Sequence, residues 1–362
     1  MKHFCVKIGL AALVLTCLVG CSSLQYAWQA AAGHWEVLAK SRAVSEVITD
    51  EATPPWLVSQ LRHAVDAREF ATVRLHLPDN LSYRRYTDLA RRFVVWNVVV
   101  ASPDSLVLEK SCFPVTGCVS YRGFFSEQQA REHAAIWRAQ GQDVAVIGVP
   151  AYSTLGYTPD PLLNTFIRLP AGELARLIFH ELAHQVVYIK DDTVFNESFA
   201  TAVEELGIEP WLTQQEQASV AADYLLFDER RKAFRRLLAV ARQDLAALYE
   251  GYAAQGGDDE GALRRAKQGR YARLKADYET LKTQWGGWPG YDFYMAEDLN
   301  NAKLALAGLY DDYVPAFKAL YQRCGQDFPR FYAAVKAVGR MPPQARQLFG
   351  SGVPSASTGC PS

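Results

Sequence analysis

Apolar side chains recur every third or fourth residue along most of this chain and alternate over only a few short stretches, which predicts many helices around a small sheet. Helical spacing covers Gln25 to Ile48, with Trp28, Trp35, Val44 and Ile48 as its apolar positions, and the chain breaks at Pro54-Pro55. It resumes from Leu57 to Phe70, and from Glu127 to Gln140 behind a capping Ser126. Two long charged segments, Trp211 to Gly251 and Glu260 to Trp285, are joined by Ala253-Ala-Gln-Gly-Gly-Asp-Asp, which reads as the turn of a helical hairpin. Ala296 to Tyr321 and Asp327 to Val338 complete the helical set, and beyond Pro342-Pro343 a Ser/Gly/Pro-rich end reads as a tail. Alternation marks strands at Thr72 to Leu77, Cys118 to Phe125 and Asp143 to Val149. Tyr83 to Val100 fits either a helix through Leu89, Phe93 and Trp96 or a buried strand over Val94 to Val100.

One stretch has almost no polar face. Leu174, Leu177, Ile178, Phe179, Leu182, Ala183, Val186 and Val187 leave only the stripe that carries His180, Glu181 and His184, and a helix apolar nearly all round is a buried one. Positions four apart stand one turn from each other on the same face, so both imidazoles can reach one ion while Glu181 projects beside them. A carboxylate buried there needs a partner, and a divalent cation with a bound water supplies it.

Zinc in a hydrolase takes three protein ligands and keeps a fourth position open for water. Glu197 meets the need for the third: it follows His184 after the polar turn Lys190-Asp191-Asp192 and opens a second helix that faces back toward the first. Asp191, Asp192, Glu204 and Glu205 compete for the same role.

HELAH followed by NESFA resembles the gluzincin metallopeptidases, in particular the NExxA ligand helix of zinc aminopeptidases. The wider runs Ala151-Tyr-Ser-Thr-Leu-Gly-Tyr, Asp160-Pro-Leu-Leu-Asn-Thr, NESFATAVEELG and Cys118-Val-Ser-Tyr-Arg-Gly-Phe-Phe resemble a family of zinc aminopeptidases found as bacterial envelope lipoproteins. The resemblance implies that His180, His184 and Glu197 are ligands to one zinc ion per chain and that Glu181 is the general base. Two departures stand out. The loop between the second His and the Glu is shorter than in thermolysin-like enzymes, and Thr201 occupies the place of their second-shell Asp. A GxMEN stretch, which holds the substrate's amino terminus in the large gluzincin aminopeptidases, is absent.

The amino terminus adds a location. Lys2 and Lys7 precede an apolar core from Ile8 to Leu18, too short to span a bilayer comfortably, and then Leu18-Val19-Gly20-Cys21. That tetrapeptide resembles a lipobox, so residues 1–20 are expected to leave as a signal and Cys21 to carry lipid; Ser22, rather than Asp, favours the outer membrane. The expected setting is the bacterial envelope, with the chain tethered through its N-terminal lipid and facing the periplasm. A formal net charge of −1 gives no electrostatic case for a nucleic-acid partner. Of seven cysteines, Cys112, Cys118, Cys324 and Cys360 remain for an oxidising compartment. Three pairings are possible; Cys112 with Cys118 would close a small loop and leave Cys324 to clip the tail through Cys360. No CxxC spacing favours a cysteine zinc site.

The expected molecule is an α+β, zincin-like metallopeptidase with a small N-terminal sheet and a predominantly helical C-terminal half. Its single catalytic unit spans 21–345: an α/β part to about 170, metal-binding helices at 171–207 and a helical part at 208–345, with 346–362 as tail. A sheet edge near Val144 to Thr154 would hold an extended peptide by its backbone, placing Tyr152, Ser153 and Thr154 beside the metal. An oxyanion donor is expected between Asn300 and Tyr313, with Tyr310 ahead of Tyr313. Aminopeptidase action on envelope peptides is the favoured function; an envelope endopeptidase and a non-catalytic, metal-stabilised binding module are the alternatives.

Overall fold

The structure, a computed structural model, describes residues 25–113, 117–254, 256, 259–296, 299–308, 313–352 and 360. Helix α1 (residues 25–39) is followed by the short strand β1 (Arg42–Ala43) and helix α2 (Val44–Thr49), so the helical spacing from Gln25 to Ile48 belongs to two helices with a strand between them. Helix α3 (Pro55–Val73) starts at the proline pair, whose second member occupies the first helical turn, where a missing N–H costs nothing. Its helix runs into the segment expected as a strand from Thr72. The carbonyls of Phe70 and Ala71 are taken by the amides of Arg74, Leu75 and Leu77, which turns that alternating stretch into a helix end.

Two three-stranded sheets follow. In one, β1 pairs antiparallel with β2 (Arg85–Thr87), which pairs parallel with β8 (Leu162–Leu163). In the other, β3 (Val95–Ala101) is flanked by β6 (Arg122–Phe124) and β7 (Asp143–Val149), both antiparallel to it. The ambiguous Tyr83 to Val100 stretch is thus strand at both ends. β4 (Ser111–Phe113) and β5 (Gly117–Val119) form a separate hairpin, closed by the Cys112–Cys118 disulfide. The run from Cys118 to Phe125 therefore splits between two sheets. Helix α4 (Glu127–Ala139), capped by the Ser126 hydroxyl on the Gln129 amide, packs Ala130 and Ala134 against Val98, Val100 and Val144.

The helical part carries α5 (Ala171–Ala183), α6 (Thr193–Leu212), and the hairpin of α7 (Ala218–Ala254) and α8 (Glu260–Gln284). The segment from Ala296 to Tyr321 is not one helix. It is divided among α9 (Asp292–Ala296), α10 (Asn301–Leu306) and α11 (Val314–Arg323), followed by α12 (Phe328–Gly339) and α13 (Pro343–Gly350). The main core gathers Phe70, Phe179, Phe195, Phe199, Phe317 and Phe331 between α3, α5, α6, α11 and α12. Pro342-Pro343 begins α13, which returns Phe349 to that core, and Cys324 is joined to Cys360. Among the described residues no helix is long and apolar enough to cross a membrane.

Candidate metal centre

Helix α5 is buried on nearly every side, with Leu174, Ile178, Phe179, Leu182 and Ala183 fully enclosed. It ends at Ala183, and His184 is its cap, still in helical conformation. The last turn therefore keeps the two histidines aligned, with their Nε2 atoms 3.2 Å apart. Glu197 enters from the first turns of α6. Its Oε2 lies 3.3 Å from His180 Nε2 and 3.8 Å from His184 Nε2. Among the described residues this is the group whose ligand atoms come close enough to hold a metal ion. Metal–ligand bonds of about 2.0–2.1 Å in a tetrahedron set ligand atoms about 3.3–3.4 Å apart, close to the spacing seen here.

The loop between the helices accounts for the arrangement. Asn196 clamps Ile189 from both sides, accepting from its amide at 2.7 Å and donating to its carbonyl at 2.8 Å. Asp192 caps α6 on the Phe195 amide and pairs with Arg346 of α13 at 2.7 Å. Asp191 turns with φ 69° and accepts from the Cys118 amide at 2.6 Å, which pins the β4–β5 hairpin to the loop. Glu205 pairs with Lys318 at 3.0 Å. Glu204 is buried behind His180, with Oε2 3.2 Å from Nδ1, while its other oxygen is held by Arg176. Each competitor for the third-ligand position thus has another partner.

Glu204 was legible only as an acidic residue of the right helix, and its contact with His180 Nδ1 supplies the carboxylate partner that thermolysin-like enzymes take from an Asp at the place of Thr201. The carboxylate fixes the proton of His180 on Nδ1 and leaves the Nε2 lone pair facing the cluster. The Thr201 hydroxyl and His184 Nδ1 are buried with no hydrogen-bond partner.

Burial dominates the electrostatics. It lowers the pKa of His180 to about 3, assisted by Arg176 and Arg235, and that of His184 to about 4, so both imidazoles are neutral and able to donate lone pairs. Burial pushes Glu181 up to about 8, with Glu197 and Asp160 adding to the rise, and it raises Glu197 as well. Two carboxylates whose proton affinity burial raises, converging with neutral imidazoles, form a donor set that a divalent cation would satisfy.

The wall beside Glu181 comes from the segment after β7. Asp160 is buried and accepts from the Thr154 amide at 3.0 Å, the Thr154 hydroxyl at 2.8 Å and the Ser153 hydroxyl at 3.4 Å. Tyr152 bonds His34 Nδ1 at 2.7 Å. These three residues therefore spend their polar groups on the wall itself. The start of the β7 edge is also engaged, since the Val144 carbonyl accepts from Arg138 and Asn300. Asn300 and Asn301 are structural, the first capping α10 and the second bridging Tyr249, Tyr271 and the Ser102 and Ser105 carbonyls. Tyr310 and Cys21 lie outside the described residues.

Two tyrosines enter unforeseen. Tyr83, at φ 62°, buries an unpartnered hydroxyl near Glu181 and Asp160. Tyr121, between β5 and β6, is raised by burial and then by the nearby charges of Glu197 and Glu181. A signal was present in each case only as a tyrosine in an unremarkable loop, although Tyr121 falls in the Cys118-Val-Ser-Tyr-Arg run.

The sequence model of a family described as "Putative aminopeptidase" matches residues 25–349. This chain belongs to that family. The match takes in both three-stranded sheets, α5, α6 and the hairpin, and at this level it supports peptidase function with peptides as substrates. No curated protein and no solved structure matches the chain.

Proposed function

We propose that this chain is a zinc-dependent aminopeptidase of gluzincin type with a zincin-like fold, acting on peptides in the bacterial envelope. The observation that carries the reading is the convergence of His180 Nε2, His184 Nε2 and Glu197 Oε2 within 4.8 Å of one another, next to a buried Glu181. A zinc ion held by these three atoms would polarise the scissile carbonyl and make a water acidic enough to attack it near neutral pH.

The remaining steps belong to the chain's own residues. Glu181 accepts the water's proton and passes it to the leaving amine; a carboxylate whose proton affinity is raised by burial suits both transfers. His180 is held in one tautomer by Glu204 and Arg176. Tyr121 takes the place expected between Asn300 and Tyr313 and donates its hydroxyl to the developing oxyanion, a role supported by its nearness to Glu197 and Glu181 and by the Cys118–Asp191 hydrogen bond that ties its loop to the start of α6.

The test uses free and N-acetylated peptides with wild type and Glu181→Gln, together with metal analysis. The wild type is expected to hold about one zinc per chain and to remove single residues from free amino termini only. Glu181→Gln keeps its metal and loses roughly a hundredfold or more in rate. Internal cuts of acetylated peptides would make the chain an endopeptidase, and no metal-dependent cleavage would leave a binding module.

A further inference from the structure

The outward face of α1 is largely apolar between Gln25 and Glu36. Trp28 and Trp35 are 74% and 71% exposed, an unusual state for two residues of this size on one helix. They stand seven positions apart, hence on the same face, with exposed Ala31, Ala32 and Ala39 around them, while Glu36 at the margin of that face is paired with Lys40 and Arg91.

The opposite face is firmly docked. Tyr26 stacks on Phe113 and donates to the Gly123 carbonyl at 3.0 Å, Gln29 accepts from the Phe125 amide at 3.0 Å, and Val37 is buried. Gly33 lets the helix approach Phe125 so closely that an added Cβ would lie 2.1 Å from its ring. The tryptophans are therefore displayed by a helix that is rigidly part of the body.

We infer that this face lies on a phospholipid surface, with Trp28 and Trp35 seated at the depth of the headgroups. The inference rests on the lipid tether proposed at Cys21. Only three residues separate Cys21 from the start of the described helix at 25, and that four-step span reaches at most about 14 Å, so a lipid-bearing Cys21 keeps the start of this helix next to the bilayer. Tryptophan, apolar in body and polar at the indole N–H, favours the water–lipid interface. His34 links the same helix to the wall of the metal cleft through Tyr152 and through the Thr158 hydroxyl at 3.0 Å. Docking would thus set the direction in which the cleft opens.

The full-length protein, processed in a bacterial host, would be reconstituted on phosphatidylcholine vesicles with plain or brominated acyl chains and read by flotation and tryptophan emission. Wild type is expected to float and to lose roughly a quarter of its emission to bromine, two of its eight tryptophans being in the interface. Trp28→Phe/Trp35→Phe should float and lose almost none. Trp28→Ser/Trp35→Ser should float through its lipid yet show weaker protection of α1 from proteolysis. Flotation of wild type with no bromine effect, or with one that survives in the Phe variant, would overturn the docking while leaving the tether intact. A tryptophan face covered instead by a second copy would appear as a dimer that the Ser variant disperses, with no bromine effect, and would overturn it too. Failure of wild type to float would remove the tether, and the docking with it.

Discussion

Glu204 shows how much a single carboxylate decides at the site. It touches no position where a substrate would bind, yet it faces His180 Nδ1 at 3.2 Å and shares Arg176 with Glu173. Glu204→Gln should fold and should lower zinc affinity about 10- to 100-fold, measured by competition with a chelating dye, because the histidine loses the anion that orients it. If affinity is unchanged, the contact is only structural. Asp160 gives a second reading, in stability. Burial raises its pKa to about 6 against an ordinary value of 3.8, despite the hydrogen bonds from Thr154 and Ser153 that oppose the rise. A carboxyl whose folded-state pKa exceeds its unfolded one stabilises the fold below about pH 4, and the contribution is lost as pH rises through about 6. The gap between the folded and unfolded values is worth about 3 kcal/mol at most. In chelator, the fall in urea midpoint between pH 4.5 and 7 should be smaller for Asp160→Asn than for wild type. An equal fall in both would assign the pH dependence to other groups.

Helices α5 and α6 and the hairpin are joined by a chain of buried ion pairs. Glu173 and Arg176 on α5 meet Glu204 on α6 and Arg231 on α7, and Arg231 also binds Asp228. All five side chains are at most 12% exposed. Removing Arg231 leaves buried Glu173 with Arg176 alone and Asp228 with the solvated Lys232, a weakened pairing whose cost is bounded by the about 3–5 kcal/mol of a buried charge left unpaired. Arg231→Met should lower unfolding stability by up to that amount in urea titration, and Arg231→Met/Glu173→Gln should recover part of it. A loss below about 1 kcal/mol would mean that water relieves the pairs when the hairpin loosens. Charge runs such as Arg230-Arg231-Lys232 look from the sequence like a solvated face. Lys232 is solvated, whereas Arg231 turns inward, because one position along a helix rotates a side chain by about 100° and the hairpin presents that side to α5.

For the whole molecule, the proposed ion is a stabilising ligand as well as a reagent. It would draw α5 and α6 together at the edge of the main core, and any ligand that binds the folded state alone stabilises it by mass action. Zinc at about a thousandfold its dissociation constant adds about 4 kcal/mol, or roughly 5 °C in a chain of this size. Scanning calorimetry should show that fall on chelation and its reversal by zinc, and should show neither in His184→Ala. An unchanged midpoint in wild type would place the ion elsewhere or make it weak.

That His180, His184 and Glu197 come close enough to hold a metal ion was legible because their geometry is local. His180, Glu181 and His184 share one helical turn, and periodicity alone defines that turn; Glu197 needed only the next helix and a short loop. The strand at Asp143 and the helix behind Ser126 were likewise set by neighbours a few positions away, whereas the strand at Val95, which the sequence left open between helix and strand, was decided by its pairing with β6 and β7. What depends on residues far apart was not legible. The alternating Thr72 to Leu77 segment became a helix end, since alternation can be satisfied by a turn that buries Leu75 and Leu77 against helices more than a hundred residues later in the chain. Tyr152, Ser153 and Thr154 turned to His34 and Asp160, and Glu204 found His180 across two helices. Sequence determined which groups are candidates for the proposed chemistry; only the tertiary structure decided which of them face one another, because burial removes water as the competing partner and leaves each polar group to whatever the fold brings within reach.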